Sequence, residues 1–246
     1  MRAMILAAGL GTRLKPFTDH HPKALAVVND KSLLQRNIEY LRHAGIQEVI
    51  INVHHFSDQI IQAITNASGW GTNVTISDET NEVLETGGGV LKAATYFANE
   101  KSWLVMNADI LTNMNLASLI QVDQIHSAAF QHYIATLAVT NRTSSRNLLF
   151  NDAGHLVGWK NNTTGEEKWV NQSASTQPYT AKAFSGIQII HQAFYQALSF
   201  TGKFSLIDAY LQIAATHTIG CYDHSDSILL DVGKPESLEQ AATLFA

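Results

Sequence analysis

The sequence predicts an α/β fold with a mixed, mostly parallel central sheet flanked by helices. Two patterns carry this expectation. Over the first 110 residues, short apolar runs alternate with helical segments, which implies right-handed βαβ crossovers and a parallel sheet. Glycines and polar residues gather just after the apolar runs, at the carboxyl ends of the strands, where such sheets bind ligands. Length and composition agree. A chain of 246 residues, 46% of them apolar, suits one large α/β domain with a sizeable core and excludes wholesale disorder. No linker, repeat or low-complexity block divides it.

Each element has its own signal. Residues 3–8 are short, apolar and followed by Gly9, the pattern of a fully buried strand. The helix over 32–44 takes Ser32 as its N-cap and Gly45 as its stop, with Leu33, Leu34, Ile38 and Leu41 at helical spacing. Residues 48–53 make a second buried strand. Ser57 is placed to cap a helix carrying Ile60, Ile61 and Ile64. Residues 73–77 make a third strand, a helix runs from Gly87-Gly88-Gly89 to about Ala98, and residues 103–107 make a fourth strand. Beyond residue 110 the pattern is mixed. Residues 133–139, 147–150, 155–160 and 184–190 read as strands and 204–216 as an amphipathic helix. Residues 228–232 lead through Gly233-Lys234-Pro235 into a last helix. The polar stretch 161–181, with a turn at 161–165, is the candidate mobile segment.

Charge constrains the ligand. Charged residues are 15% of the chain, against a usual ~25%. Sixteen basic and 21 acidic residues leave a net −5, which argues against a broad basic face for nucleic acid. An anionic ligand would need a few cations and backbone N–H groups concentrated at one place. The single cysteine, Cys221, excludes an internal disulfide framework and reads as a small buried hydrophobe. The 11 histidines include the pairs His20-His21 and His54-His55. Neighbours in sequence point apart, and no His/Cys cluster has transition-metal spacing. No stretch reaches the ~18 apolar residues that span a bilayer. The first apolar run is too short for a secretory signal, so a cytoplasmic protein with no membrane partner is expected.

The strongest local signal is Leu6-Ala7-Ala8-Gly9-Leu10-Gly11-Thr12-Arg13-Leu14-Lys15-Pro16, followed by Pro22-Lys23. Strand, glycines and then cations is what a phosphate cradle requires: glycines let successive N–H groups converge on anionic oxygens. Arg13 can grip phosphate with a planar fork and Lys23 can act as a point charge. A Rossmann fingerprint would need glycine where Leu14 stands, and neither glycine-rich segment fits a Walker A loop. A purely structural turn explains the glycines but not the cations and prolines that arrive with them.

These residues resemble the signature of the sugar-1-phosphate nucleotidyltransferases, or NDP-sugar pyrophosphorylases. The resemblance extends through Thr86-Gly87-Gly88-Gly89, Asn107-Ala108-Asp109, Phe184-Ser185-Gly186-Ile187 and Asp231-Val232-Gly233, nearly the whole chain. The short form and Leu84-Glu85-Thr86-Gly87-Gly88-Gly89 look most like N-acetylmuramate-1-phosphate uridylyltransferases and short mannose- or heptose-1-phosphate guanylyltransferases. The resemblance implies a Rossmann-like nucleotidyltransferase fold, a single domain over 1–246. Residues 1–110 would be the nucleotide-binding half and 111–246 the sugar-phosphate-binding half. The chain would act as a monomer or homodimer on a nucleoside triphosphate and a sugar 1-phosphate, with Mg²⁺.

In that chemistry a sugar-phosphate oxygen attacks the α-phosphorus in line and pyrophosphate leaves. The nucleophile is already an anion, so catalysis is positioning and charge neutralisation rather than general base chemistry. A lone Asp at a strand end is an ordinary turn former. Two of them, Asp109 and Asp231, beside a phosphate loop are hard-oxygen ligands suited to Mg²⁺, and the resemblance gives them that role. It also places Arg13 on the leaving pyrophosphate and Lys23 near the α-phosphate. The nucleotide would meet Leu6, Ala7, Ala8, Gly9, Gly11, Thr12, Thr86, Gly87 and Gly88. Glu79 is the candidate, among Asp78, Glu79, Glu82 and Glu85, to accept from guanine N1–H and N2–H₂ or uracil N3–H. Asn107 and Phe184-Ser185-Gly186 would lie against the sugar.

The family often supplies a sugar-phosphate lysine from a Glu-Lys-Pro segment. Gly158-Trp159-Lys160-Asn161 stands in the comparable place without the Glu and Pro. Lys160 is therefore the candidate, with Lys182 and Lys203 behind it. Ala108 replaces the usual Gly between Asn and Asp, narrowing the floor beneath the sugar. Uridine and guanosine remain alternatives for the base. A choline-phosphate-type cytidylyltransferase would share the loop but need an aromatic cage. A non-catalytic nucleotide-sugar sensor would be expected to lack some of Arg13, Lys23, Asp109 and Asp231, all of which are present.

Overall fold

Ala3, Met4 and Ile5 are fully buried, and the run they belong to occupies the middle of the parallel strands. The computed structural model describes residues 1–245. In chain order come β1 (Ala3–Leu6), the small hairpin β2 (Val27–Val28) and β3 (Lys31–Ser32), α1 (Leu33–His43), β4 (Glu48–Val53) and α2 (Ser57–Asn66). Then follow β5 (Asn73–Asp78), α3 (Glu85–Lys92), β6 (Ser102–Asn107), β7 (Ile110–Thr112) and α4 (Leu116–Ala129). The second half adds β8 (Tyr133–Thr140), β9 (Arg146–Phe150), β10 (Leu156–Asn161), β11 (Glu167–Trp169) and β12 (Thr180–His191). It ends with α5 (Ala193–Ala197), α6 (Leu206–Ile213), β13 (Thr218–Asp223), β14 (Leu229–Asp231) and α7 (Pro235–Leu244).

The central strands β6, β1, β4 and β5 are parallel neighbours. Beyond β6 the sheet becomes antiparallel at β12 and forks. The C-terminal run of β12 pairs β6 and β8, with β13 parallel to β8 outside it, while Thr180, Ala181 and Lys182 pair β9. β10 and β11 extend that second arm. One apolar layer packs α1, α2 and α4 on one face of the sheet. Another packs α3, α5 and α6 on the other face, where Trp103 is stacked between Phe97 and Tyr195 at ring-centroid distances of 4.8 and 5.0 Å. No helix among the described residues is long and apolar enough to cross a membrane.

Most expected elements form where the pattern placed them. Ser32 caps α1 by accepting from the Gln35 N–H at 3.1 Å. Ser57 is instead the first residue of α2; Phe56 precedes it with φ 55°, and no side chain caps that end. The helix expected from Gly87 starts at Glu85 and tightens after Lys92 into a 3₁₀ turn. The strand expected over 184–190 runs from Thr180 to His191, and the helix expected over 204–216 shortens to Leu206–Ile213. Residues 161–181, expected to be mobile, include β11, which is hydrogen-bonded to β10.

The sequence pattern does not announce α4. Its apolar residues spread around the helix, and the one charge it carries, Asp123, is buried. Asp123 accepts from the Thr136 hydroxyl at 2.6 Å and lies 2.9 Å from His191 Nε2, tying α4 to β8 and β12. Replacing Asp123 with Ala strands both partners, so the variant should lose about 3 kcal/mol of stability. Urea unfolding measures this, and a variant as stable as the wild type would contradict the assigned role.

Candidate active site

Leu6 lies level with Asn52 in β4 and with Asn107 in β6. Three carboxyl ends therefore open at one height, as a parallel sheet dictates. Above them is a cavity of about 210 Å³. Leu6, Ala7, Ala8 and Gly9 form its floor, Asn52, Val83, Glu85 and Thr86 one wall, and Lys23, Asn107, Ala108 and Asp109 the other.

The loop after β1 is shaped by Gly11. It has φ +62°, and a Cβ there would lie 2.8 Å from Lys23 Cβ. Its carbonyl accepts from the Leu14 N–H at 2.9 Å and the Thr18 hydroxyl at 3.1 Å. The turn so fixed directs Lys23 into the cavity and leaves Arg13 largely exposed at its edge. Thr12 is exposed on the same turn. Lys15 turns away and pairs with Asp19 at 2.8 Å.

Asp109 and Asp231 are far apart in sequence but adjacent in the fold. β14 pairs antiparallel with β7, placing Asp231 opposite Ile110, and the Val232 N–H donates to the Asp109 carbonyl at 2.8 Å. Lys23 Nζ donates to Asp109 Oδ2 and stands 3.9 Å from Asp231 Oδ1. Arg13 Nη2 is 3.9 Å from Asp231 Oδ2. Two carboxylates and two cations thus form one cluster, and its members Lys23 and Asp109 line the cavity.

Asp231 Oδ1 is buried with no hydrogen-bond partner. Lys23 Nζ, at 3.9 Å, is beyond donating distance, and a buried carboxylate oxygen without a donor is costly unless a cation completes it. No group of three or more His, Cys, Asp or Glu residues that could hold a metal occurs among the described residues. Two hard carboxylates and no larger cage fit Mg²⁺, which takes one or two carboxylates with the remainder from water and substrate phosphates.

The base side contains a hydrogen-bonded chain. The Ala7 N–H donates to Asn52 Oδ1 at 2.7 Å, and Asn52 Nδ2 donates to Glu79 Oε1 at 2.8 Å. Glu79, expected to meet the nucleotide, is buried behind Asn52 and does not line the cavity. Burial pushes its carboxyl above the usual carboxylate range. Of the four acids weighed for the base, Glu85 is the one on the cavity wall. Asn52 was legible in principle, as the one amide in the buried run 48–53.

Two more expectations change. Gly87 and Gly88, expected at the nucleotide, are clearance for the 202–204 segment. A Cβ at Gly87 would lie 2.3 Å from the Phe204 ring, and one at Gly88 would lie 2.2 Å from the Gly202 carbonyl. Thr86 does line the cavity, and its hydroxyl accepts from the Leu206 N–H at 3.1 Å. Lys160 does not line the cavity; its Nζ is bound by Glu167 Oε1 at 2.7 Å across the β10–β11 ladder.

On the opposite side, β12 bulges between Phe184 and Gln188. Gly186 sits there with φ +73°, and a Cβ on it would lie 2.7 Å from Asn107 Nδ2, so this backbone abuts the cavity wall. Ser185 is buried and its hydroxyl faces His224 Nε2 at 2.6 Å rather than the cavity. Ser227 Oγ donates to the His224 carbonyl and lies 2.5 Å from His224 Nδ1. The Nδ1–H therefore donates to Ser227, and Nε2 accepts from Ser185. Burial pushes His224 down to about 4.

The family profile of nucleotidyl transferases matches residues 2–147, and the chain belongs to that family. It is 38% identical over 121 residues to the N-acetylmuramate α-1-phosphate uridylyltransferase of Neisseria meningitidis serogroup B, covering 49% of this chain and 52% of that protein. It is 36% identical over 119 residues to the D-glycero-α-D-manno-heptose 1-phosphate guanylyltransferase of Campylobacter jejuni, covering 48% and 52%. The matched stretch thus spans about half the length of each relative. The fold is similar to that of HddC from Yersinia pseudotuberculosis, solved as a complex with GMP-PN. The TM-score is 0.75 at 22% identity, covering 100% of this chain and 99% of that one.

His224 gives a pH prediction. Its folded value of about 4 lies below the ordinary 6.5, so between these values the unfolded chain binds a proton that the folded chain refuses. Stability therefore falls as pH drops through that window. The melting temperature should decline more steeply from pH 7 to pH 5 in the wild type than in His224→Gln, which keeps an acceptor for Ser185. Equal slopes would contradict it.

Proposed function

We propose that the chain transfers a nucleotidyl group from a nucleoside triphosphate to a sugar 1-phosphate, releasing pyrophosphate, with UTP and N-acetylmuramate 1-phosphate as the leading substrates. The observation that carries this reading is the convergence of Lys23, Arg13, Asp109 and Asp231 at the mouth of a cavity floored by the β1 turn. That arrangement suits a reaction whose difficulty is bringing two polyanions together. Asp109 and Asp231 would hold Mg²⁺, which when bound neutralises phosphate charge.

The residues divide the remaining work. The turn Leu6–Gly9 and the Asn52 wall seat the nucleoside. Lys23 moves its charge from Asp109 to the α-phosphate, and Arg13, exposed at the edge, takes the departing pyrophosphate. Asn107 and the Phe184–Gly186 bulge hold the sugar, so that its phosphate oxygen lies in line with the bond that breaks. Preorganised cations of this kind typically contribute ~10²–10³ in rate each. We read 1–110 and 111–246 as the nucleotide and sugar-phosphate halves of this site.

Similarity to the Neisseria uridylyltransferase supports uridine. Guanosine is the second reading, favoured by Glu85: a carboxylate on the cavity wall matches the paired donors of guanine N1–H and N2–H₂, whereas uracil offers one donor.

A matrix of four nucleoside triphosphates against several sugar 1-phosphates, followed by pyrophosphate release, tests the proposal. Turnover should be greatest with UTP and N-acetylmuramate 1-phosphate, and no turnover in any combination would refute nucleotidyl transfer. Asp109→Asn and Asp231→Asn should each lower Mg²⁺-dependent release at least ~10²-fold with unchanged far-UV circular dichroism. Full activity in either variant would remove that carboxylate from the metal site.

A further inference from the structure

We propose that Arg142 binds the oxyanion of the sugar substrate. This assignment rests on the nucleotidyl-transfer reading and names a residue for the task expected of Lys160, which Glu167 holds across the β10–β11 ladder. The lysines of the second half sort by their partners. Lys160 pairs with Glu167 at 2.7 Å, Lys168 with Asp208 at 2.8 Å, Lys182 with Asp223 at 2.5 Å and Lys203 with Glu85 at 3.8 Å. Each charge is already answered by a carboxylate. Arg142, Arg146 and Lys234 have no acidic partner within 4.0 Å among the described residues. Lys234 lies three residues after Asp231, immediately before α7.

Arg142 is placed by more than exposure. It leaves the end of β8, and its Nη2 donates to the Phe184 carbonyl at 3.1 Å. Phe184 opens the bulge of β12, and two residues later Gly186 abuts Asn107 on the cavity wall. The guanidinium is thus anchored to the segment that abuts Asn107 of the cavity wall, by a neutral carbonyl that leaves its charge uncompensated. One donor is used and the rest of the planar fork is free. Such a fork takes phosphate or carboxylate oxygens bidentately, which a lysine cannot do. Arg146, on β9, has no side-chain hydrogen bond of this kind to orient it among the described residues.

A sugar substrate can bring two oxyanions: its 1-phosphate and, in an acidic sugar, a carboxylate. Steady-state kinetics with N-acetylglucosamine 1-phosphate, N-acetylmuramate 1-phosphate and the sugar phosphate selected by the substrate matrix separates them. Arg142→Ala should raise the sugar KM about 10- to 100-fold, with the KM for the nucleotide unchanged. Arg142→Lys should recover only part of the loss. A rise with every sugar phosphate identifies the phosphate, and a rise confined to the acidic sugar identifies the carboxylate; both uphold the assignment. An unchanged sugar KM in Arg142→Ala, or a rise seen only in Arg146→Ala, overturns it. If the wild type turns over no pair, the transfer reading itself has failed, and this shows before any variant is compared.

Discussion

Two carboxylates held side by side repel each other, and the β7–β14 ladder holds Asp109 and Asp231 in neighbouring positions. Lys23 offsets that repulsion. Its ammonium, mostly shielded from solvent, donates to one aspartate and stands within ion-pair distance of the other. Much of the surrounding structure serves this contact. Gly11 is left-handed and has no Cβ where Lys23 must pass. The Gly11 carbonyl closes the turn through Leu14 and Thr18. Leu14 is buried with Leu111 and Val232, so the loop is packed against the strand pair that carries the aspartates.

The cavity walls are held by buried partners. Asn52 is fixed between the Ala7 amide and Glu79, and Thr86 between its own helix and the start of α6. Gly186 brings β12 against Asn107, while Ser185, one residue earlier, is secured from behind by His224. These supporting groups are buried, so they fix geometry without competing for ligand. The exposed cations Arg13 and Arg142 are the opposite case: each is tethered at one point and has donors to spare. Buried supports beside exposed cations would suit the proposed site, which would admit two polyanions.

Much of this was legible in the sequence because it is local. The glycine-rich turn, the capped helix at Ser32 and the buried strands 48–53 and 103–107 follow from short patterns. What stayed hidden depends on contacts distant in sequence. α4 has no apolar stripe, because Asp123 faces inward to meet Thr136 and His191. Glu79 looks like a ligand contact until Asn52 is seen in front of it. Lys160 fits the family's spacing, but β11 places Glu167 across from it. The family resemblance puts Gly87 and Gly88 at the nucleotide, yet these two make room for Phe204 and Gly202.

In the proposed site, Asp109 and Asp231 would form one cation site with the nucleotide, balanced by Lys23. Mn²⁺ binding followed by electron paramagnetic resonance, with a triphosphate whose α,β-bridge is methylene, tests it without turnover. One Mn²⁺ should bind per chain in the presence of the analogue, with affinity weakened at least ~10-fold in Asp231→Asn. Equal Mn²⁺ affinity in the wild type and Asp231→Asn would contradict it.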